Sequence, residues 1–340
     1  MSIDENNEKF TTSDEKIQEL TEISQKYSKI ISDVMLETQK NIIGQENIIK
    51  KILISIISNG HVLLESVPGL AKTLMIKTMA DIFSVNNVRI QFTPDLLPAD
   101  ILGTKIYKNN SNSFEIQKGP IFHNFVLADE INRAPPKVQS ALLESMQERQ
   151  VSIHGETFQL EKPFLVLATQ NPIENEGTYK LPEAQVDRFA LKILIKYPTK
   201  EEEIKIIERN TIESEKKSEP ILKSNEILQM QEFNSKIYAD DIILKYVANI
   251  VDATRNPDNY ELDLQNTIEF GASSRASIWL IKTAKANAMI NGRGYVIPED
   301  IKEVAHDVLR HRLILTFEAE ADEINSDKVI DIILDKVPSP

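Results

Sequence analysis

Cysteine is absent from the 340 residues, histidine occurs five times and tryptophan once. Without cysteine there is no disulfide framework, no thiolate zinc site and no cysteine nucleophile, which fits a reducing compartment. The histidines (His61, His123, His154, His306 and His311) are scattered. Even the nearest two miss the three- or four-residue spacing that shares a helix face, so a histidine metal site is not expected. Long apolar runs are also missing. Ile52 to Leu64 is interrupted by serines, Asn59, Gly60 and His61, short of the roughly 20 apolar residues of a spanning helix. The start, MSIDENNEKFTTSDEK, has neither the basic nor the apolar region of a signal peptide. Basic residues are in deficit, with Lys+Arg 39 against Asp+Glu 52 and a net charge of −13. That balance counts against non-specific nucleic-acid binding, although a local basic groove stays compatible with it. A soluble cytoplasmic protein of about two domains is expected.

What is present has an order to it. Residues 1–13 are polar and predict a disordered tail. Ile17, Leu20, Ile23, Ile30, Ile31, Val34 and Met35 then recur near helical spacing. Five apolar runs follow: His61–Glu65, Val88–Phe92, Asn124–Ala128, Phe164–Thr169 and Ala190–Tyr197. Runs so nearly continuous suit buried parallel strands, and the helical patterns between them argue for an α/β domain over residues 14–198. At Pro198-Thr199 the strand runs stop. Thr199 before Lys200-Glu201-Glu202-Glu203 reads as an N-cap and an acidic first turn, opening a helical domain over 199–340. Glu208–Glu219 reads as a solvated connector. Thr104–Gln117 and Gln150–Glu161 alternate about turn residues, the pattern of two β-hairpins added to the α/β domain.

Four places in the first domain carry chemistry. Ser66-Val67-Pro68-Gly69-Leu70-Ala71-Lys72-Thr73 joins a strand to a helix, where backbone N–H groups can cradle phosphates, a lysine can reach the terminal ones and a hydroxyl can bind Mg²⁺. Ser66 and Ala71 replace both glycines of the usual phosphate-loop pattern, so an ordinary strand-helix turn remains an alternative. Asp129-Glu130 ends a strand. Asp129 can hold a metal, directly or through water, and Glu130 can orient and deprotonate a water; alone, the pair could be a solvated loop. Asn171 follows another strand, where its amide can meet both a γ-phosphate and a water, or serve as a turn residue before Pro172. Arg188 ends a short helix and suits a bidentate phosphate contact, or an ion pair with Glu183 or Asp187. In the second domain Arg275 lies in the first turn of a helix, where the dipole disfavours a cation, which hints at an anion opposite.

In this order the elements resemble the AAA+ ATPases, and within them the MoxR family. The resemblance covers about residues 40–340. It rests on Ile43-Gly44-Gln45-Glu46, Gly60-His61-Val62-Leu63-Leu64-Glu65, Val67–Thr73, Leu127–Ala134, Ala168–Pro172, Glu174–Tyr179, Pro182–Gln185, Asp187-Arg188-Phe189, Gly271-Ala272-Ser273, Arg275-Ala276, Tyr295-Val296 and Pro298-Glu299-Asp300-Ile301. It implies an AAA+ P-loop αβα core with a five-stranded parallel sheet and inserted β-hairpins, followed by an all-helical lid domain. Val67, Pro68, Gly69, Leu70, Ala71, Lys72, Thr73 and Leu74 would bind ATP, with Ile43 beside the adenine. Thr73 and Asp129 would hold Mg²⁺. Glu130 resembles the Walker B glutamate, Asn171 sensor 1, Arg188 the arginine finger acting on a neighbouring subunit's ATP, and Arg275 sensor 2. The hairpins resemble inserts that face a ring pore and touch clients.

By this resemblance the chain is expected to hydrolyse ATP in a homo-oligomeric ring, a hexamer. Its partner would be a client protein carrying a von Willebrand factor A domain, with neither nucleic acid nor membrane insertion. A nucleic-acid or metal-chelatase-type motor of the same clade remains an alternative, though Lys105, Lys108 and Lys118 form only a thin basic patch. So does a scaffold that binds nucleotide without turnover. Three positions depart from the family pattern: Ser66, Lys180 and Ser274. Ser66 threatens the turn if its backbone needs positive φ, and is expected to weaken nucleotide binding only modestly.

Overall fold

In the computed structural model the described residues are 4–67, 69–109, 112–172, 177–212 and 217–340, with side chains described from Asp14 on and those of Asn210 and Ile212 left out. They form two compact units, residues 34–228 and residues 1–33 with 229–340. The first helix, α1 (Asp4–Gln39), contributes to both.

The core unit continues with α2 (Glu46–Ile57), β1 (Val62–Ser66), α3 (Lys72–Ile82), β2 (Asn87–Gln91), α4 (Pro98–Leu102), β3 (Gly103–Lys108), β4 (Ser113–Lys118) and β5 (Phe125–Asp129). After these come α5 (Pro136–Glu148), β6 (Gln150–Ile153), β7 (Glu156–Gln159), β8 (Leu165–Gln170), α6 (Glu183–Val186), β9 (Leu191–Ile195) and α7 (Lys200–Ile212). Five strands form one sheet in the order β2-β5-β8-β1-β9, all parallel. The expected strands lie within two residues of these at either end. Every residue of β5 is buried, as its unbroken apolar run requires of a strand covered on both faces. Val126, Ala128, Val166 and Ala168 pack with Val138, Leu142 and Met146 of α5 and with Phe189. At the amino end of β1 the buried His61 bridges two elements. Its Nδ1 accepts from the Val166 N–H at 3.0 Å and its Nε2 lies 3.1 Å from the Met146 carbonyl. Burial first, and the Arg149 charge second, hold this imidazole well below its usual pKa.

Both hairpins are present, β3–β4 and β6–β7, each antiparallel. Asn110 and Ser111 of the first turn lie outside the described residues. The two hairpins touch: Lys105 Nζ meets Glu156 at 3.5 Å, and Lys118 Nζ sits 4.9 Å over the Phe122 ring and 5.8 Å over Phe158. Lys108 pairs with Glu115. The thin basic patch is therefore engaged within the protein.

In the other unit are α8 (Ser224–Lys236, begun in the core unit), α9 (Asp241–Ala253), β10 (Ile268–Phe270), α10 (Ser274–Ile290), α11 (Pro298–Leu309), β11 (Ile314–Leu315), α12 (Phe317–Ala321) and α13 (Ser326–Lys336). The nearly buried Asp300 anchors it, accepting from Asn287 at 2.8 Å and from both terminal nitrogens of Arg293 at 2.6 and 2.7 Å.

Four features differ from the expectations. Residues 4–13 are helical rather than a disordered tail, while 1–3 lie outside the described residues. The units divide at 228/229 rather than at 198, because the chain after β9 stays on the core. Thr199 and Glu202 cap α7 reciprocally, Ser218 is buried against Asn41, and the Ile221 N–H donates to the Ile82 carbonyl. For the same reason Glu208–Glu219 is not simply a solvated connector; residues 213–216 lie outside the described residues. Lastly, the second unit is helical as expected but also carries one short antiparallel pair, β10 with β11.

Candidate nucleotide site

In a parallel sheet every strand delivers its last residue to the same edge, and ligands collect there. That edge brings together Ser66 of β1, Gln91 of β2, Asp129 of β5 and Gln170 of β8, with Asn171 next in line.

The loop after β1 lies between Ser66 and Lys72. Ser66 is still strand, paired with Ile195, and its buried hydroxyl donates to the Val67 carbonyl at 3.1 Å. Extended backbone suits serine, so the feared cost at this position does not arise. The left-handed conformations fall on Gly69 (φ 85°) and Ala71 (φ 52°). Alanine there costs roughly 1–2 kcal/mol relative to ordinary backbone. In return, Ala71 caps α3 and starts its first hydrogen bond, Met75 N–H to the Ala71 carbonyl at 2.9 Å. Earlier N–H groups of that turn lack helical partners and face the loop. Leu70 is buried, whereas Val67 and Leu74 are half-buried. Pro68 lies outside the described residues. Among the described residues, neither the Lys72 ammonium nor the Thr73 hydroxyl has a hydrogen-bond or ion-pair partner.

The carboxylates are placed differently. Asp129 is buried and fully engaged: Oδ1 accepts from the Thr169 hydroxyl at 2.6 Å, and Oδ2 accepts from Arg89 Nε at 3.1 Å and Nη2 at 2.7 Å. Glu130 turns left-handed (φ 58°), and its N–H donates to the same Thr169 oxygen at 2.8 Å. Its Oε2 accepts from Gln91 Nε2 at 2.8 Å and from Arg133 Nε at 3.1 Å. Thr169, Arg89, Gln91 and Arg133 were not singled out from the sequence. The alternation Arg89-Ile90-Gln91 on a strand was the available signal, because it puts both polar side chains on one face. Which strand they would face needed the register, Gln91 opposite Asp129.

Asn171 is buried just past β8. Arg188 lies elsewhere. It lies three residues before β9, close to where the Ala190 N–H donates to the His61 carbonyl at the amino edge of the sheet. The five residues of β1 separate that edge from the phosphate loop, roughly 16 Å at about 3.3 Å per residue. Among the described residues Arg188 pairs with neither Glu183 nor Asp187, and its Nε is buried without a partner. Ile43 is half-buried ahead of Gln45, whose buried Oε1 also lacks a partner. Arg275 belongs to the other unit; its N–H caps onto the Ser273 hydroxyl at 3.2 Å, and its side chain is exposed in the first turn of α10.

These residues fit a nucleotide with its Mg²⁺. First-turn N–H groups of α3 stand at the loop with an ammonium and a hydroxyl that have no partner among the described residues, and a hydroxyl with one carboxylate is the sparse oxygen set on which Mg²⁺ relies when phosphates complete its shell. No cluster of three or more acidic, histidine or cysteine side chains suited to a metal exists among the described residues. No helix among them is long and apolar enough to cross a membrane.

The comparisons with known proteins agree with this geometry. Residues 61–191 match the ATPase family associated with various cellular activities, and residues 261–333 match the AAA lid domain. The fold and the sheet-edge site thus define an AAA+ ATPase. Chaperone MoxR1 of Mycobacterium tuberculosis is 49% identical over 90% of this chain and 81% of its own length. Protein MoxR of Paracoccus denitrificans is 30% identical over 81% of this chain and 86% of its own. A solved structure of a candidate ATPase from Cytophaga hutchinsonii superposes with a TM-score of 0.89 at 48% identity, covering 98% of this chain and 99% of that one. The chain belongs to the MoxR family of chaperone-like AAA+ ATPases.

Proposed function

We propose that this protein hydrolyses ATP with Mg²⁺ as cofactor, in a homo-oligomeric ring of six subunits, and uses the cycle to remodel or mature a partner protein in the cytoplasm. The observation that carries the reading is the convergence, on one sheet edge, of a lysine and a hydroxyl without partners among the described residues with a buried aspartate and its neighbouring glutamate. Lys72 and the first-turn N–H groups of α3 bind the phosphates. Thr73 and Asp129 would hold Mg²⁺, which would neutralise charge developing on the transferred group. Glu130 orients the attacking water and accepts its proton, and Asn171 positions that water against the γ-phosphate. Arg275 answers the γ-phosphate from the lid.

Arg188 is assigned to a neighbouring subunit's nucleotide. Two things support this: its own phosphate loop lies at the opposite sheet edge, and its buried Nε is unsatisfied among the described residues. The β3–β4 hairpin presents Tyr107 and Phe114, both exposed, as client-contacting side chains. A client of von Willebrand factor A type follows from the family resemblance, and the printed name of the mycobacterial relative, a chaperone, supports work on another protein.

Steady-state ATPase activity across protein concentration, beside Glu130→Gln and Arg188→Ala, tests this. Activity per subunit should rise with concentration and vanish in both variants. Full activity at dilutions where the protein is monomeric, or in Arg188→Ala, would sink the shared site.

A further inference from the structure

We infer that Arg89 occupies the side of the Asp129 carboxylate that the divalent cation takes, so that guanidinium and metal exchange on one oxygen. The inference rests on the reading of Asp129 as a metal-holding residue and adds how that site is kept until the metal arrives.

The two oxygens of Asp129 are unlike. Oδ1 accepts the Thr169 hydroxyl, a neutral donor that is itself buried and also takes the Glu130 N–H, so it belongs to the frame. Oδ2 takes two nitrogens of one guanidinium, Nε and Nη2 of Arg89. The partners differ in mobility as well. The Asp129 side chain is 9% exposed and fixed at a strand end, whereas that of Arg89 is 49% exposed on the edge strand β2. A buried carboxylate without a counter-charge is expensive, so the empty site needs a cation, and Arg89 supplies one. A guanidinium on a long, half-solvated stem can swing into water at small cost, while Asp129 cannot follow it. Of the two, Arg89 is the group that yields.

A divalent cation and a guanidinium repel each other on a single oxygen. Metal binding at Asp129, directly or through water, therefore competes with the ion pair. Metal arriving alone faces that competition in full. Metal arriving with phosphates brings extra negative charge, seated by Lys72 and the N–H groups of α3, and overcomes it. Arg89 is thus a positioning residue that raises the threshold for metal without nucleotide. Its second bond, Nη2 to Gln91 Oε1 at 2.6 Å, keeps its end near the site.

Mn²⁺ binding to the full-length chain, followed by electron paramagnetic resonance of the free ion with and without ADP, reads this without any turnover. Arg89→Met keeps the stem and removes the charge. It should tighten Mn²⁺ binding roughly twofold to fivefold, most in the absence of ADP, because removing a partly exposed ion pair is worth about that factor. Arg89→Lys keeps a charge but loses the fork, and should fall between wild type and Arg89→Met. If Arg89→Met does not fold, a tightening in Arg89→Lys carries the same meaning. Unchanged or weaker Mn²⁺ binding in a folded Arg89 variant overturns the exchange. Asp129→Asn separates the two layers. If it weakens Mn²⁺ binding while the Arg89 variants do not tighten it, only the exchange fails; if it leaves Mn²⁺ binding untouched, the metal assignment itself fails.

Discussion

The two halves of the sheet-edge site are prepared in opposite ways. On the β1 side, Lys72 and Thr73 have no partner among the described residues, and the strain of a left-handed alanine is spent on aiming unbonded N–H groups. On the β5 side nothing is idle: Asp129, Glu130, Thr169, Gln91, Arg89 and Arg133 bond to one another. The difference follows from charge and burial. A lysine at a loop mouth is hydrated while it waits, whereas a carboxylate nine-tenths buried cannot wait uncompensated. One half receives a ligand; the other must trade partners for it.

The largest way to break this comparison is Lys72→Met. With its only strong cation gone, the open half should lose about a hundredfold or more in ATP turnover, with nucleotide binding by titration lost alongside. A variant that binds ATP normally would mean the loop is not the phosphate seat. Thr169→Val strikes the closed half with little change of shape. It leaves Asp129 Oδ1 and the Glu130 N–H unsatisfied at once, so chemical unfolding should register a cost on the order of 1–3 kcal/mol, with turnover falling about tenfold. Stability and activity should fall together here, whereas Lys72→Met should spare stability.

Acid titration sharpens the contrast from the far end of β1. His61 is neutral in the folded chain because burial and Arg149 lower its pKa, and the unfolded chain takes up the proton first. Its contribution is therefore complete above the ordinary histidine value near 6.5 and is lost as pH falls below it. As pH falls below about 6 this group should add a slope of up to about 1.4 kcal/mol per pH unit that His61→Gln lacks. Nucleotide affinity per folded molecule should not share that slope. The smallest effect belongs to Ser66→Gly: because Ser66 is extended strand, ATP affinity should stay within about twofold, and a large gain would place the strain at Ser66 rather than at Ala71.

Much of this could be read from the residues. The five buried strands announce themselves because parallel strands with helices on both faces need unbroken apolar runs, and Lys72, Asp129, Glu130 and Asn171 stand at or just beyond strand ends, where a parallel sheet gathers its chemistry. What escaped depends on register or on distant pairing. The Arg89–Asp129 ion pair requires knowing that β2 lies beside β5, and nothing local in Asn87–Gln91 says so. The grouping of residues 1–33 with the second unit likewise rests on contacts such as Ser28 to the Ile290 carbonyl at 2.6 Å and Tyr27 against Phe233 at 5.3 Å. The 3.6-residue pattern of α1 states that it is a helix, not what it lies against.

The placement of Arg188 at the amino edge, opposite the phosphate loop, gives the subunit a direction. On the shared-site reading each copy presents a donor end and an acceptor end, and the two are different surfaces. Such an interface cannot be a two-fold one; it joins head to tail, closing into a ring if the rotation permits and running on as a filament if it does not. It also makes the active site divisible between chains. A Lys72→Met copy still offers a sound Arg188, and an Arg188→Ala copy still offers a sound loop. Mixing two inactive proteins should therefore rebuild whole sites at some of their junctions, as genetic complementation does between two broken copies of a gene.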